Sequence, residues 1–344
     1  MSTHGELAVD GAVYPLDRPD LWPSQFAMRD EIASVVRSWR RNEPLEISTS
    51  GSTGAPKVII HPLENVVRSA AATASYFVLP ERSNVLLCLP VSKIAGRMQV
   101  YRALINNWRL WVVEPSSIPL KKINQTLDFA AMTPFQAQST LSDNPAEFRK
   151  IRSLLLGGAQ VSEPLMKRLT AAGVHCWEGY GMTETLTHVA VRKIAPEAEP
   201  FFRCLPGIRT ELGPNDALVL HGDRFPSPLL TTDRVSWMDE KRFLWLGRTD
   251  FTLNTGGIKV QPEQVEARLE GLIDRAFVVA GEPDEQLGTR IVLIVEGTAL
   301  SPSDERALME AMDVRLSRFE RPKSLKYLPQ LPRTENGKIE RHRL

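Results

Sequence analysis

Ten residues near the start of the chain, Ser48-Thr49-Ser50-Gly51-Ser52-Thr53-Gly54-Ala55-Pro56-Lys57, hold five hydroxyls, two glycines and a lysine. A turn this rich in N–H and O–H donors can wrap phosphate oxygens while the ammonium neutralises their charge. It is not a Walker A loop. Lys57 follows proline and precedes Val58, so the hydroxyl that would hold a metal ion beside the lysine is missing. A Ser/Thr-Gly surface loop between two strands accounts for the pattern equally well.

Four more constellations follow. In Glu178-Gly179-Tyr180-Gly181-Met182-Thr183-Glu184-Thr185, glycines bracket an aromatic ring, which lets a flat ligand come close. Thr183 could offer a hydroxyl to a phosphate and Glu184 a hard oxygen to Mg²⁺; a turn with a buried tyrosine and a solvated glutamate is the plainer reading. Asp233, with Arg248 and Asp250 of a Gly-Arg-Thr-Asp turn, could grip the two hydroxyls of a ribose, although isolated surface charges look the same. The pair Gly256-Gly257 permits positive φ and leaves room for a thin ligand arm against the backbone, as would a simple hairpin turn. Near the C-terminus, Asn336-Gly337 is a tight-turn dipeptide that could present Lys338 at a loop tip, and a mobile basic tail is its alternative.

These side chains need elements to position them. Asn84 to Leu89, Ile151 to Leu156 and Ala217 to Leu220 read as buried strands, and Leu63 to Tyr76 as a helix. Ser162 reads as an N-cap, with Glu163 and Pro164 in the first turn and Gly173 past the end. Pro262 to Glu270 repeats that grammar. The chain is expected to turn at Thr231-Thr232-Asp233, then form strands at Val235 to Met238 and Arg242 to Leu246. Beyond Asp250 come strands at Ala276 to Ala280 and Ile291 to Glu296 and a helix from Ser303 to Leu316. Strand–helix alternation predicts an α/β fold: a large N-terminal domain of layered, mostly parallel sheets with helices, residues 1–249, and a small α+β C-terminal domain, residues 250–344.

Composition narrows the class. The 344 residues are 42% hydrophobic and 24% charged, and 42 Lys plus Arg nearly cancel 41 Asp plus Glu, leaving a net charge of +1. Such a balance gives no field for nucleic acid or a membrane surface. The polar N-terminus is no secretory signal and no apolar run is long enough to span a bilayer. Cys88, Cys176 and Cys204 are scattered without C-x-x-C spacing, which fits a reducing, cytoplasmic location.

Singly the five constellations are weak; their order is specific. Together they resemble the adenylate-forming superfamily of acyl-CoA synthetases, adenylation domains and luciferases, over most of the chain from Ser48 to Lys338. Within it the chain looks most like the short o-succinylbenzoate-CoA ligases of menaquinone synthesis. Three stretches carry this: Tyr180 to Ala190, Ile94-Ala95-Gly96-Arg97-Met98 leading to Arg102, and Ala130-Ala131-Met132-Thr133-Pro134-Phe135-Gln136.

The resemblance implies an enzyme that uses ATP, Mg²⁺ and coenzyme A. Thr49, Ser50, Gly51, Ser52, Thr53, Gly54 and Lys57 would hold the ATP phosphates. Gly157, Gly158 and Ala159 would border the adenine, with Tyr180 and Gly181 against it. Thr183 would touch the α-phosphate, Glu184 would coordinate Mg²⁺, and Asp233 and Arg248 would bind the ribose. Asp250 would be the hinge, Gly256 and Gly257 would line the pantetheine path, and Lys338 would drive adenylation. Two departures stand out. The phosphate loop begins near residue 50, so much of the N-terminal portion of longer relatives is missing, which is either dispensable or covered by a homo-oligomer. Lys93 stands where many relatives carry histidine, adding a cation beside the acyl pocket. A substrate with a second carboxylate needs a partner for it; Arg102, Arg97 and Lys93 are the candidates in that order. A solvent-facing helix competes for Arg97, and His188 either borders the acyl pocket or is a satisfied core histidine. A carrier-protein phosphopantetheine as acceptor, or a non-catalytic nucleotide-binding relative, are the alternative readings.

Overall fold

A computed structural model describes residues 5–49, 57–333 and 339–344 of the chain. Strands β1 (Glu6–Val9) and β2 (Ala12–Pro15) form an antiparallel hairpin, followed by α1 (Arg29–Arg40). The ribbon β3 (Leu45–Thr49) and β4 (Lys57–His61) flanks the Ser/Thr-Gly loop. The chain then alternates: α2 (Leu63–Phe77), β5 (Asn84–Leu87), α3 (Ile94–Ile105), β6 (Arg109–Val112), β7 (Leu127–Met132), α4 (Pro134–Asp143), β8 (Ile151–Leu156), α5 (Glu163–Ala171) and β9 (Cys176–Gly181). Here the strands run parallel, in the order β9-β8-β7-β5-β6-β1.

Side-chain alternation explains why these strands are apolar throughout. Val85 and Leu87 of β5, Phe129 of β7 and Leu155 of β8 join one core with Met98, Val100 and Leu104 of α3. Their neighbours Leu86, Ala130, Leu154 and Leu156 point the other way, into a second core with Ala137, Leu141, Leu165 and Leu169 of α4 and α5. A strand covered on both faces has no polar side to show.

Antiparallel strands extend the sheet beyond β9: β10 (His188–Ala195), β11 (Phe202–Cys204), β12 (Ile208–Leu212), β13 (Ala217–Gly222), β14 (Leu229–Asp239) and β15 (Arg242–Arg248). The order across the thirteen strands is β12-β13-β14-β15-β11-β10-β9-β8-β7-β5-β6-β1-β2. The α/β expectation holds, and the sheet is mixed: parallel where helices cross over, antiparallel where hairpins connect. Thr231-Thr232-Asp233 is not a turn but the interior of β14, where Thr231 Oγ1 donates to the carbonyl of Leu218 at 2.9 Å. The polar run that reads as a loop is tied down by the neighbouring strand.

After a short 3₁₀ turn, Thr249–Phe251, come the hairpin β16 (Leu253–Thr255) and β17 (Ile258–Val260), then α6 (Pro262–Leu269), β18 (Phe277–Asp284), β19 (Gly288–Glu296), α7 (Pro302–Arg315) and β20 (Ser324–Leu328). Strands β18, β19 and β20 form their own sheet. Buried apolar residues after this turn, such as Val265, Leu293 and Met312, cluster among themselves and not with those before it. Hydrogen bonds cross the turn: Gln261 Nε2 donates to the carbonyl of Arg248 at 2.8 Å, and Glu270 accepts from the backbone N–H of Glu163 at 2.6 Å. No described helix is long and apolar enough to cross a membrane.

Candidate functional site

The parallel strands end on one edge, where ligands of open α/β sheets bind. The loop after β8 starts with Gly157, whose N–H donates to the carbonyl of Met132 at the end of β7 at 3.1 Å. The Cβ sides of Gly157 and Gly158 face open space, and Ala159 is exposed. Glu178 of β9 fixes the loop's far end. It is buried, accepts from the N–H of Val161 at 3.0 Å and pairs with Arg192 at 2.6 Å. Burial raises its pKa, opposed by Arg192.

Two distant motifs meet next to this loop. The hydroxyl of Tyr180 donates to Asp233 Oδ2 at 2.6 Å, and Trp245 Nε1 donates to Asp233 Oδ1 at 3.0 Å. Burial, and the Asp233 carboxylate, hold the Tyr180 phenol well above its ordinary pKa, so it remains a donor. Each carboxylate oxygen can still accept a further hydrogen bond. Arg248 stands directly opposite Asp233 in the β14–β15 ladder, yet its guanidinium forks onto Asp250 at 2.9 and 2.6 Å. At Gly181 a side chain is sterically impossible, since a Cβ would lie 1.9 Å from the carbonyl oxygen of Thr187.

Thr183 to Thr185 form a single 3₁₀ turn past the end of β9. The Thr183 carbonyl is bonded to His61 Nε2 at 2.8 Å. His61 ends β4, and Lys57, exposed, begins it. One five-residue strand therefore links the Ser/Thr-Gly loop to the Glu184 turn. Glu184 is half-buried, and its carboxylate makes no hydrogen bond or ion pair among the described residues. Ser50, Gly51, Ser52, Thr53, Gly54 and Lys338 lie outside the described residues, as does the side chain of Thr49.

The cations expected for the acid separate into two groups. Lys93 is exposed at the N-cap of α3. Arg97 spends its guanidinium on backbone carbonyls, Val91 at 3.2 Å and Glu46 at 2.5 Å. Arg102, five residues on and so facing another side of the helix, is 1% exposed. Its Nη2 donates to Thr187 Oγ1 at 2.6 Å, its Nη1 lies 3.5 Å from Gln99 Oε1, and its Nε has no partner among the described residues. His188 is buried beside it, its Nε2 3.2 Å from Thr73 Oγ1. Burial lowers the Arg102 pKa to about 9, helped by Arg224, and holds His188 well below its usual value, helped by both arginines.

Gly256 and Gly257 form the two-residue turn between β16 and β17, with φ of 59° and 81°. Both values lie in the left-handed region that such a hairpin turn requires. Sequence reasoning missed His61, Gln99, Arg224 and Trp245. Only Trp245 left a trace, as an aromatic in a predicted strand near the Gly-Arg-Thr-Asp turn.

The AMP-binding enzyme family matches residues 45–208. The acyl-CoA synthetase (AMP-forming)/AMP-acid ligase II-like protein from Dyadobacter fermentans is 31% identical, with a TM-score of 0.62, covering 93% of this chain and 94% of that one. The chain belongs to the AMP-binding enzyme family. Among curated relatives of this AMP-binding enzyme, the 2-succinylbenzoate–CoA ligase of Salmonella typhimurium is 29% identical over 325 residues, 89% of this chain and 69% of that protein. The Haemophilus influenzae protein of the same name is 28% identical, over 86% of this chain and 69% of its own length. The O-succinylbenzoate coenzyme A synthetase (MenE) of Bacillus subtilis, solved in complex with ATP and magnesium ion, shares the fold with a TM-score of 0.77 at 21% identity, covering 87% of this chain and 69% of that one.

Proposed function

We propose that this AMP-binding enzyme is an acid–thiol ligase that activates o-succinylbenzoate with ATP and passes the acyl group to coenzyme A, in the cytoplasm, as a step of menaquinone synthesis. The observation that carries the reading is the Tyr180–Asp233 hydrogen bond at 2.6 Å. It joins an adenine motif to a ribose motif 53 residues away, and β4 ties the phosphate loop to the same edge through His61 and Thr183. The names of the curated relatives supply the acid.

In the first step the carboxylate attacks the α-phosphorus and pyrophosphate leaves, forming the acyl-adenylate. Charge builds on phosphoryl oxygens and leaving group, so cations and N–H donors supply the catalysis. Lys57, Thr183 and Lys338 would serve the phosphates; Asp233 and Arg248 would hold the ribose. The residues fit Mg²⁺ delivered with the nucleotide: Glu184 is one half-buried carboxylate without a protein partner among the described residues, and Mg²⁺ is commonly held by one or two carboxylates plus substrate phosphates. When bound, the ion would neutralise charge on the phosphates. In the second step the thiol attacks the acyl carbonyl and AMP leaves. The two steps make opposite demands on the space beside the adenylate. We read residues 250–344 as a domain that turns about Asp250 to exchange Lys338 for the Gly256-Gly257 turn. The separate cores and the polar seam support that reading.

An ATP–pyrophosphate exchange screen tests the function, with o-succinylbenzoate, benzoates and fatty acids as substrates and free coenzyme A as acceptor. Magnesium-dependent exchange with o-succinylbenzoate, followed by thioester formation, is expected. Exchange with none of the acids would remove the ligase reading.

A further inference from the structure

Three nitrogen donors buried around α3 and the Thr187–His188 segment have no acceptor among the described residues: Gln99 Nε2, Arg102 Nε and Arg224 Nε. Gln99, Arg102 and Arg224 are each 1% exposed. Arg224 comes from a different part of the chain, the loop between β13 and β14, and among the described residues its guanidinium is engaged only through Nη2, by the carbonyl of Pro206 at 2.8 Å. Its field reaches both Arg102 and His188.

No described carboxylate forms an ion pair with either arginine. The field of Asp223, next in sequence to Arg224, favours the charge on Arg224, and that of Cys204 adds to it. Burial pulls the Arg224 pKa down to about 10, as it pulls Arg102 down. His188, held neutral, offers no compensation. Two guanidinium ions close together and out of water are costly unless an anion shares the space. A purely structural pair would have its donors satisfied, whereas these leave an N–H on each arginine and an amide N–H on Gln99. Donors without acceptors, positive charge and exclusion of water together specify an anion with several oxygens. The guanidinium fork matches a carboxylate.

We propose that Arg224 and Gln99 complete, together with Arg102, a receptor for the second carboxylate of the acid, and that Arg224 sets the requirement for a dianion. The assignment rests on the ligase reading above for the identity of the acid. A site with two cations penalises a monocarboxylate twice: it forgoes the attraction and leaves both charges buried and unpaired.

The test compares o-succinylbenzoate with 4-oxo-4-phenylbutanoate, which lacks the ring carboxylate, in wild type, Arg224→Gln, Arg224→Lys and Gln99→Leu. The wild type should prefer the dianion in kcat/KM for pyrophosphate exchange. In Arg224→Gln, KM for o-succinylbenzoate should rise at least tenfold, KM for ATP should move less than twofold, and the preference should collapse toward one. Arg224→Lys should recover part of it, and Gln99→Leu should show a smaller loss in the same direction. An unchanged preference in Arg224→Gln overturns the proposal, as does equal loss of both acids in all three variants while circular dichroism shows them folded. Should Arg224→Gln not fold, the lysine and Gln99 variants decide by the same ratio. A thermal-shift series with o-succinylbenzoate and phthalate, without ATP, separates the two claims. Stabilisation that Arg224→Lys or Gln99→Leu weakens, in an enzyme that adenylates neither acid, upholds the receptor and removes the substrate assignment. No stabilisation and no exchange removes both.

Discussion

Two neutral histidines lie beside the residues assigned to the nucleotide and the acid. Burial holds both His61 and His188 below the usual imidazole pKa. At His61 the Thr183 carbonyl and Glu184 oppose the shift in part; at His188 the nearby arginines add to it. An unfolded histidine takes up its proton near pH 6.5, whereas these two, folded, do so only at lower pH. The unfolded chain therefore binds more protons in that interval, and stability falls as the pH drops below about 6.5 toward the folded values. Each histidine adds up to about 1.4 kcal/mol per pH unit to that slope. His188→Gln should flatten the acid side of a urea-midpoint-against-pH curve; parallel curves for variant and wild type would show that His188 takes up its proton in the fold as readily as in the unfolded chain. At this scale the sequence was legible where a motif is local. Tyr180, Thr183 and Glu184 lie within five consecutive residues, and that spacing puts Tyr180 at the end of β9 and the other two in the turn that follows it. It was silent where partners come from across the fold. Arg224 has no local pattern to mark it, and its meaning rests on Arg102, 122 residues earlier in the numbering. Helical phase sets Arg97 and Arg102 on different sides of α3, but not which side is buried.

Elements carry the site because their ends are pinned. In α4, Thr133 Oγ1 accepts from the N–H of Gln136 while Gln136 Oε1 accepts from the N–H of Thr133, at 3.1 and 3.0 Å. The Gln136 amide then reaches back to the carbonyls of Cys88 and Ser116, so the stretch from Ala130 to Gln136 has a structural reason for its composition. Helix starts were readable for the same cause: Ser162 caps α5 through the N–H of Leu165. The interior of β14 was not readable, since Thr231 and Asp233 are satisfied by partners on β13, β9 and β15. The close approach at β9–β10 was equally hidden. Gly181→Ala places a methyl on the carbonyl oxygen of Thr187, which forces the strands apart or twists the ladder. A loss on the order of 3 kcal/mol is expected, read from urea unfolding. A loss below about 0.5 kcal/mol would mean that the strands give way freely.

For the whole molecule, the proposed division of labour separates two rates. Lys338→Ala should nearly abolish adenylate formation while sparing thioester formation from supplied adenylate. Asp250→Pro should slow the thioester step, and Asp250→Ala, which also frees Arg248 from its fork, distinguishes loss of the ion pair from a stiffened backbone. An unchanged thioester rate in Asp250→Pro would remove Asp250 as the pivot. The seam at Thr249–Phe251 has a thermodynamic consequence. The buried hydrocarbon on its two sides falls into separate clusters, and the hydrogen bonds that cross it among the described residues join amide, carboxylate, hydroxyl and backbone groups. Heat-capacity changes track apolar surface entering or leaving water. A rotation that leaves both cores intact therefore carries almost no heat-capacity change, and its equilibrium constant should follow a nearly straight van't Hoff line, even where the unfolding of the same protein curves strongly with temperature.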